Sequence, residues 1–188
     1  MESEIIDTDQ AFGAQEVEYA GFWLRFVAAI IDAIVMGIVN LILIQPALKI
    51  FGIAYPSMDQ EKFRDWLERL KEGDSFKFND YFNVMGVTIA DMAISALIGI
   101  LVTWFYFAVM ETSAKQGTLG KMALKLKVTD MDGERITFGR ATGRFFGKYL
   151  SQFTLLIGYM MAGWTEKKQA LHDIVAKTLV VKNSSNSI

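Results

Sequence analysis

Two long apolar stretches, each holding a single carboxylate, limit what this chain can become. Residues 26–44 carry one charge, Asp32, and residues 84–110 carry one charge, Asp91. A bilayer core takes about 20 apolar residues of helix, so each stretch predicts a transmembrane helix. An ionised carboxylate in hydrocarbon costs about 2.5–3.5 kcal/mol even on the lenient insertion scale. Asp32 and Asp91 must therefore face protein or water and find partners there.

Composition agrees with an integral membrane protein. Of 188 residues, 52% are hydrophobic, and they are strung into uninterrupted runs. The net charge of -2 offers no basic domain to neutralise phosphates, which argues against a nucleic-acid partner. There is no cysteine for a disulfide, thiolate metal site or thiol nucleophile, and one histidine, His172, rules out a multi-histidine metal site within one chain. Neither a cofactor site nor a hydrolase triad is legible, and the expectation is a protein that is not an enzyme. Residues 1–20 are acidic and contain no Lys or Arg, unlike the basic opening of a signal peptide, and read as a mobile tail.

Along the chain, helix one is expected from Gly21-Phe22-Trp23, with Trp23 as interface anchor, to Gln45-Pro46, where proline breaks the ladder. The 45–83 loop, with a second proline at Pro56, contains a short amphipathic helix over 58–73. Phe63, Trp66, Leu67 and Leu70 share its apolar face. Phe76, Phe78, Tyr81 and Phe82 form an aromatic belt before helix two, which is expected over 84–110. In the 111–137 loop, residues 124–130 alternate like a strand. Asp132-Gly133 is a hairpin turn, and 135–137 is a candidate return strand. Thr178 to Lys182 has the same strand character and is expected to pair into this sheet. Residues 149–164 are uncharged and interrupted by Gly158, so they read as a third membrane segment that crosses marginally or enters and returns. Before them, Gly139, Gly143, Gly147 and Ser151 form a small-residue seam beside a polar seam of Arg140, Arg144, Lys148 and Gln152. Residues 183–188 are a polar tail.

Arg25 and Asp32 lie seven residues apart on one helix face, and Asn40 lies near that face. Asp91, Ser95, Gly99 and Thr103 make a four-residue-spaced stripe on helix two. Packing alone accounts for such residues, because small and polar side chains are ordinary glue between membrane helices. The sharper reading makes Asp32, Asn40, Asp91, Ser95 and Thr103 a ladder of oxygen ligands for a proton or small cation, since a carboxyl in low dielectric exchanges protons nearer neutrality. His172-Asp173 reads first as a turn or helix start. Gln116-Gly117-Thr118-Leu119-Gly120-Lys121 lacks the spacing of a nucleotide-binding loop.

Three separated blocks resemble the RDD family over about residues 19–182. They are Tyr19 to Phe26 with Asp32 seven residues after Arg25, then Gln116 to Lys121 running into Leu126 to Asp130 and Asp132-Gly133, and finally Gln169 to Asp173 with Thr178 to Val181. The family is named for one arginine and two aspartates. The resemblance assigns these to Arg25, Asp32 and Asp173 and gives them a special structural or functional role. It also implies a transport-related activity, with cation/proton exchange among the proposals made for such proteins.

The expected architecture is an all-α integral membrane protein. It has two long transmembrane helices, a shorter third membrane segment and a small cytoplasmic β-hairpin or sheet, with residues 21–182 as one membrane domain. Two or three spans do not enclose a path, so transport would need a homo-oligomer or a larger membrane partner. The competing class is a non-transporting scaffold or assembly factor. Lysines 115, 121, 125 and 127 after helix two place both termini in the cytoplasm of an inner-membrane protein, with the 45–83 loop outside. Metal binding is left open.

Overall fold

The computed structural model describes residues 17–54, 57–75, 77–154 and 157–183. The acidic tail up to residue 16, Pro56, Phe76 and the polar tail from 184 lie outside the described residues. The chain divides into two compact units, one of Met1–Val35 with Thr103–Ile188 and one of Met36–Val102.

Helix α1 is Phe22–Val39, and it passes through a π-helical turn at Asn40–Ile44 into α2, Gln45–Ile50. The helical run is thus Phe22–Ile50, longer than a stop at Pro46 implies. The reason is local. A helical proline clashes with the carbonyl four residues back, and the wider π turn falls on those residues, so Pro46 starts α2 instead of ending the helix. After α3, Gln60–Lys71, and α4, Phe78–Met85, comes the second long helix, α5, Ile89–Thr112. It starts later than residue 84 because Gly86 adopts the left-handed conformation (φ +63°) and ends α4 first. Among the described residues, the Phe22–Ile50 run and α5 are the two helices long and apolar enough to cross a bilayer. Only 11% and 6% of their most apolar windows are buried, which excludes core helices of a soluble fold. Trp23, Ile30, Ile34, Leu97, Leu101 and Phe105 present exposed apolar surface instead.

In the unit holding Thr103–Ile188, α6 (Leu119–Ala123) leads into β1, Leu126–Asp130. β1 pairs antiparallel with β2, Thr178–Lys182, with Val128 opposite Val180. This is the sheet expected from the strand-like sequence. The chain before α1 lies along β2, where Ala20 donates to the Val180 carbonyl at 2.8 Å and the Lys182 amide donates to that of Glu18 at 2.8 Å. The expected return strand shrinks to one bridge, Thr129 to Arg135. Thr137 instead caps α7, Phe138–Phe153, by accepting from the Arg140 amide at 3.3 Å.

Residues 149–164 are not one helix. α7 ends at Phe153, a single turn α8 covers Ile157–Met160, and a 3₁₀ turn covers Met161–Gly163. The chain folds back so closely that a Cβ on Gly158 would lie 2.8 Å from the Ser151 Cα. α9, Leu171–Ala176, packs on α7, where Gly147 meets His172. The apolar core of this unit gathers Ala20, Ala28, Ala108, Leu126, Val128 and Val180.

In the other unit, Asp59 caps α3 by accepting from the Glu61 and Lys62 amides at 3.1 and 3.2 Å. The α3 apolar face stacks Phe63 on Trp66, with ring centroids 5.5 Å apart.

Candidate functional site

The middle of the α7 polar seam, Arg144 and Lys148, turns inward, and α9 offers His172-Asp173 to it. Asp173 is fully buried. Its Oδ1 accepts from Arg144 Nε at 2.9 Å and Nη2 at 2.8 Å, with His172 Nε2 at 3.3 Å. Its Oδ2 accepts from Arg25 Nη1 and from the Ala170 amide at 3.0 Å. Arg25 also donates to the carbonyls of Ala20 at 2.8 Å and Lys168 at 2.7 Å. One arginine thus ties the first turn of α1 to the loop before α9 and to α9 itself.

Arg144 continues the chain of charges, donating from Nη1 to Glu111 Oε2 at 3.3 Å, while Lys121 pairs with Glu111 Oε1. Burial opposes the charge on Asp173, but Arg144 and Arg25 outweigh it and hold the carboxyl well below its ordinary range. Arg144 is likewise kept ionised against burial by Asp173 and Glu111. Burial pushes His172 down to about 3, so its imidazole is neutral. Lys148, half-buried, is pushed down to about 7 by burial and by the neighbouring cations Lys121 and Arg144.

Asp32 lies apart from this chain of charges and is 3% exposed. Its Oδ1 accepts from Tyr106 Oη at 2.9 Å and the Gly120 amide at 2.8 Å, and its Oδ2 accepts from Thr118 Oγ1 at 2.5 Å. The Leu119 amide donates to Tyr106 Oη at 3.0 Å. The Gln116 to Lys121 block is therefore a clasp around a carboxylate. It needs glycine at 120, since a Cβ there would stand 2.1 Å from the Ala28 carbonyl oxygen.

Asp91 falls in the other unit, in the first turn of α5 rather than within its apolar length. It forms a reciprocal cap with Thr88. Its Oδ2 accepts from the Thr88 amide at 2.9 Å and hydroxyl at 2.7 Å, and its own amide donates to Thr88 Oγ1 at 3.1 Å. Its Oδ1 accepts from the Ala54 amide at 3.2 Å. Asn40 accepts from Gln45 Nε2 at 3.2 Å. The Ser95 hydroxyl is buried without a hydrogen-bond partner among the described residues. Thr103 belongs with Asp32 to the first unit, while Asn40, Asp91 and Ser95 belong to the second. Glu111, Lys121, Arg144 and Lys148 were not singled out as site residues by sequence reasoning. The available signal was the polar seam on α7, four residues apart, beside a segment that is otherwise uncharged.

A cavity of about 480 Å³ opens beside the charge cluster. Phe22, Phe26, Ala29 and Phe107 supply apolar wall, and Arg25, Lys121, Arg144 and Lys148 supply positive charge. No group of three or more His, Asp or Glu side chains able to hold a metal exists among the described residues.

Residues 19–177 match the RDD family. The chain belongs to that family. A Bacillus subtilis (strain 168) relative, "Uncharacterized protein YxaI", is 34% identical over 86% of this chain and 96% of its own length. "Uncharacterized membrane protein YteJ" from the same organism is 29% identical over 95% and 93%. "Uncharacterized protein RP437" of Rickettsia prowazekii (strain Madrid E) is 31% identical over 64% and 61%. No solved structure matches. Family membership, a membrane-protein relative and two exposed apolar helices together make this an RDD family membrane protein.

Proposed function

We propose that this RDD family protein is a non-transporting membrane scaffold, in which the family's arginine and aspartates lock the start of the first span to the α7–α9 layer. The observation that carries this reading is the saturation of the carboxylates. Each oxygen of Asp32, Glu111 and Asp173 already has a donor from the same chain. Both oxygens of Asp91 are likewise engaged. A cation would have to displace those donors and, at Glu111 and Asp173, also meet Arg25, Lys121 and Arg144. Exposed apolar residues near the fold-back, among them Phe146, Leu150 and Phe153, would rest in the membrane interface as the entering and returning third segment. On this reading the protein sits in the inner membrane, with both termini cytoplasmic and a second copy or a larger membrane protein as its partner.

The second reading is cation/proton exchange by an oligomer. The buried Ser95 hydroxyl on the Asp91 stripe favours it, because an ion or a second subunit would give that oxygen a partner. Proteoliposomes decide between the two. The scaffold reading expects no sodium- or potassium-dependent proton movement from the parent. It also expects Asp32→Asn to keep the fold, since an amide oxygen still accepts from Tyr106 and Gly120 while its nitrogen meets the Thr118 hydroxyl. Cation-dependent flux that disappears in Asp32→Asn or Asp91→Asn would establish exchange instead.

A further inference from the structure

Four cations and three carboxylates line or adjoin the cavity, and the pairing leaves one cation over. Arg25 and Arg144 share Asp173, while Arg144 and Lys121 share Glu111. Asp32 is held by the hydroxyls of Tyr106 and Thr118 and the Gly120 amide. No carboxylate lies within ion-pair distance of Lys148 among the described residues, and its Nζ rests 3.5 Å from the centre of the Phe107 ring. A cation left against an aromatic face is attracted by the ring, but Glu111 and Asp173 act on it only from beyond ion-pair contact. The walls are of the opposite character. Phe22, Phe26 and Ala29 come from the membrane-spanning α1, and Phe26 and Ala29 are exposed along it. The volume of about 480 Å³ suits a small organic ligand more than an ion.

We infer that this cavity binds an anionic amphiphile, with its phosphate or carboxylate headgroup on Lys148 and its hydrocarbon chain along Phe22, Phe26 and Ala29. An apolar wall reaching the lipid-facing side of α1 next to an ammonium with no carboxylate in contact matches both halves of such a molecule. The headgroup supplies that contact, and the chain enters from a medium in which it is already dissolved. The groups facing Lys148 set its charge state. Glu111 on α5 and Asp173 on α9 favour the ammonium, whereas Lys121 on α6 and Arg144 on α7 oppose it. Asp32 and Arg25 on α1, Tyr159 on α8 and the neutral His172 on α9 complete the lining. With Lys148 pushed down to about 7, occupancy should depend on pH around neutrality. Anion binding does not depend on the scaffold reading, and flux assays leave it untouched.

The test is native mass spectrometry of the full chain in a non-ionic detergent, titrated with dodecyl phosphate, dodecanoate, dodecanol and inorganic phosphate. One equivalent of dodecyl phosphate or dodecanoate should bind, and the preference between them distinguishes a phosphate-headed lipid from a free fatty acid as the source. Affinity should fall about tenfold from pH 6 to pH 8.5, and about tenfold in Lys148→Gln at pH 6, as loss of one charge-assisted contact predicts. Lys148→Arg should bind without the pH dependence. Ala29→Trp, at an exposed position, should block the chain while leaving the melting temperature unchanged. Equal binding of dodecanol would overturn the anion site, and equal binding of inorganic phosphate would overturn the apolar half. Unchanged affinity in Lys148→Gln would overturn the assignment of the headgroup.

Discussion

Asp173 serves two arginines at once, so its removal should cost more than removal of either partner. Asp173→Asn leaves Arg25 and Arg144 facing an amide in a fully buried place, and breaking a buried pair this way costs about 3–5 kcal/mol. Arg25→Ala should cost less, because Arg144 still compensates Asp173. Unfolding titrations of both variants in detergent check the order, and equal melting of both with the parent would show that the pairing is not structural. The titrating neighbours give stability a pH profile. The fold releases the Lys148 proton near pH 7, whereas an ordinary lysine keeps it until 10.5, so the unfolded chain binds more protons between these values and stability rises with pH there. His172 works at the acid end. An ordinary imidazole takes a proton below 6.5 and the folded one not until about 3, so stability is lost as pH falls below 6.5. Asp173 adds a loss of the same sign at lower pH, below its ordinary 3.8. Melting temperatures should therefore climb from pH 7 to 10 in the parent, with a flatter climb in Lys148→Gln. His172→Gln should soften the decline from pH 6.5 to 5. A full climb in Lys148→Gln would exclude that lysine as its source.

Elements differ in how far their roles can be read from their own residues. The two spans were legible because a bilayer demands an unbroken apolar run, and such a run is visible without any tertiary knowledge. The strand pair was legible because Leu126 and Val128 alternate with Lys127 and Thr129 in β1, and Thr178 to Val181 have the β-branched and apolar composition of a strand. The start of α5 was not, since Val84 and Met85 are as apolar as the helix that follows. Only the left-handed Gly86 and the Thr88–Asp91 cap separate α4 from α5. Asp91 consequently read as a carboxylate at depth, whereas it closes a helix end. The Gln116 to Lys121 block was recognised as a feature, but its use was hidden because Asp32 is 88 residues from Gly120. That clasp makes a sharp prediction. Gly120→Ala drives a methyl into the Ala28 carbonyl, backbone against backbone, where no side chain can yield. The expected loss is about 3 kcal/mol or more, the upper end for overpacking, with Asp32 left short of a donor. Thermal melting checks it, and a parent-like melting curve would mean that α6 does not close on α1.

For the whole molecule, the first unit restricts which side of the membrane each part can occupy. Glu18 and Ala20 hydrogen-bond to β2, and the Lys182 ammonium pairs with Glu18, so the chain before α1 and the chain after β2 belong to one face. β1 pairs with β2, which brings the segment after α5 to that same face. A third full crossing between β1 and β2 would put the two strands on opposite sides. Residues 138–177 therefore begin and end on one side, and with α7 ending at Phe153 and α8 starting anew at Ile157, Gly158 comes back against Ser151. This constraint was already available from the strand-like sequence at 178–182, because pairing is a stronger statement about sidedness than the length of an apolar segment. The sign of the face comes from Lys115, Lys121, Lys125 and Lys127 just after α5, which favour the cytoplasm. The 45–83 loop holds six Lys or Arg of its own, so the charge rule sets the sign by a narrow margin, while the pairing fixes only that the paired segments share a side. Reporters fused before Met1 and after Ile188 should both be cytoplasmic, and Lys62→Cys should react with an impermeant thiol reagent from outside. A C-terminal reporter on the outer face with the N-terminal one inside would break the β1–β2 pairing. Both reporters inside with residue 62 unreactive from outside would leave the sheet intact and mean that neither long helix crosses the membrane.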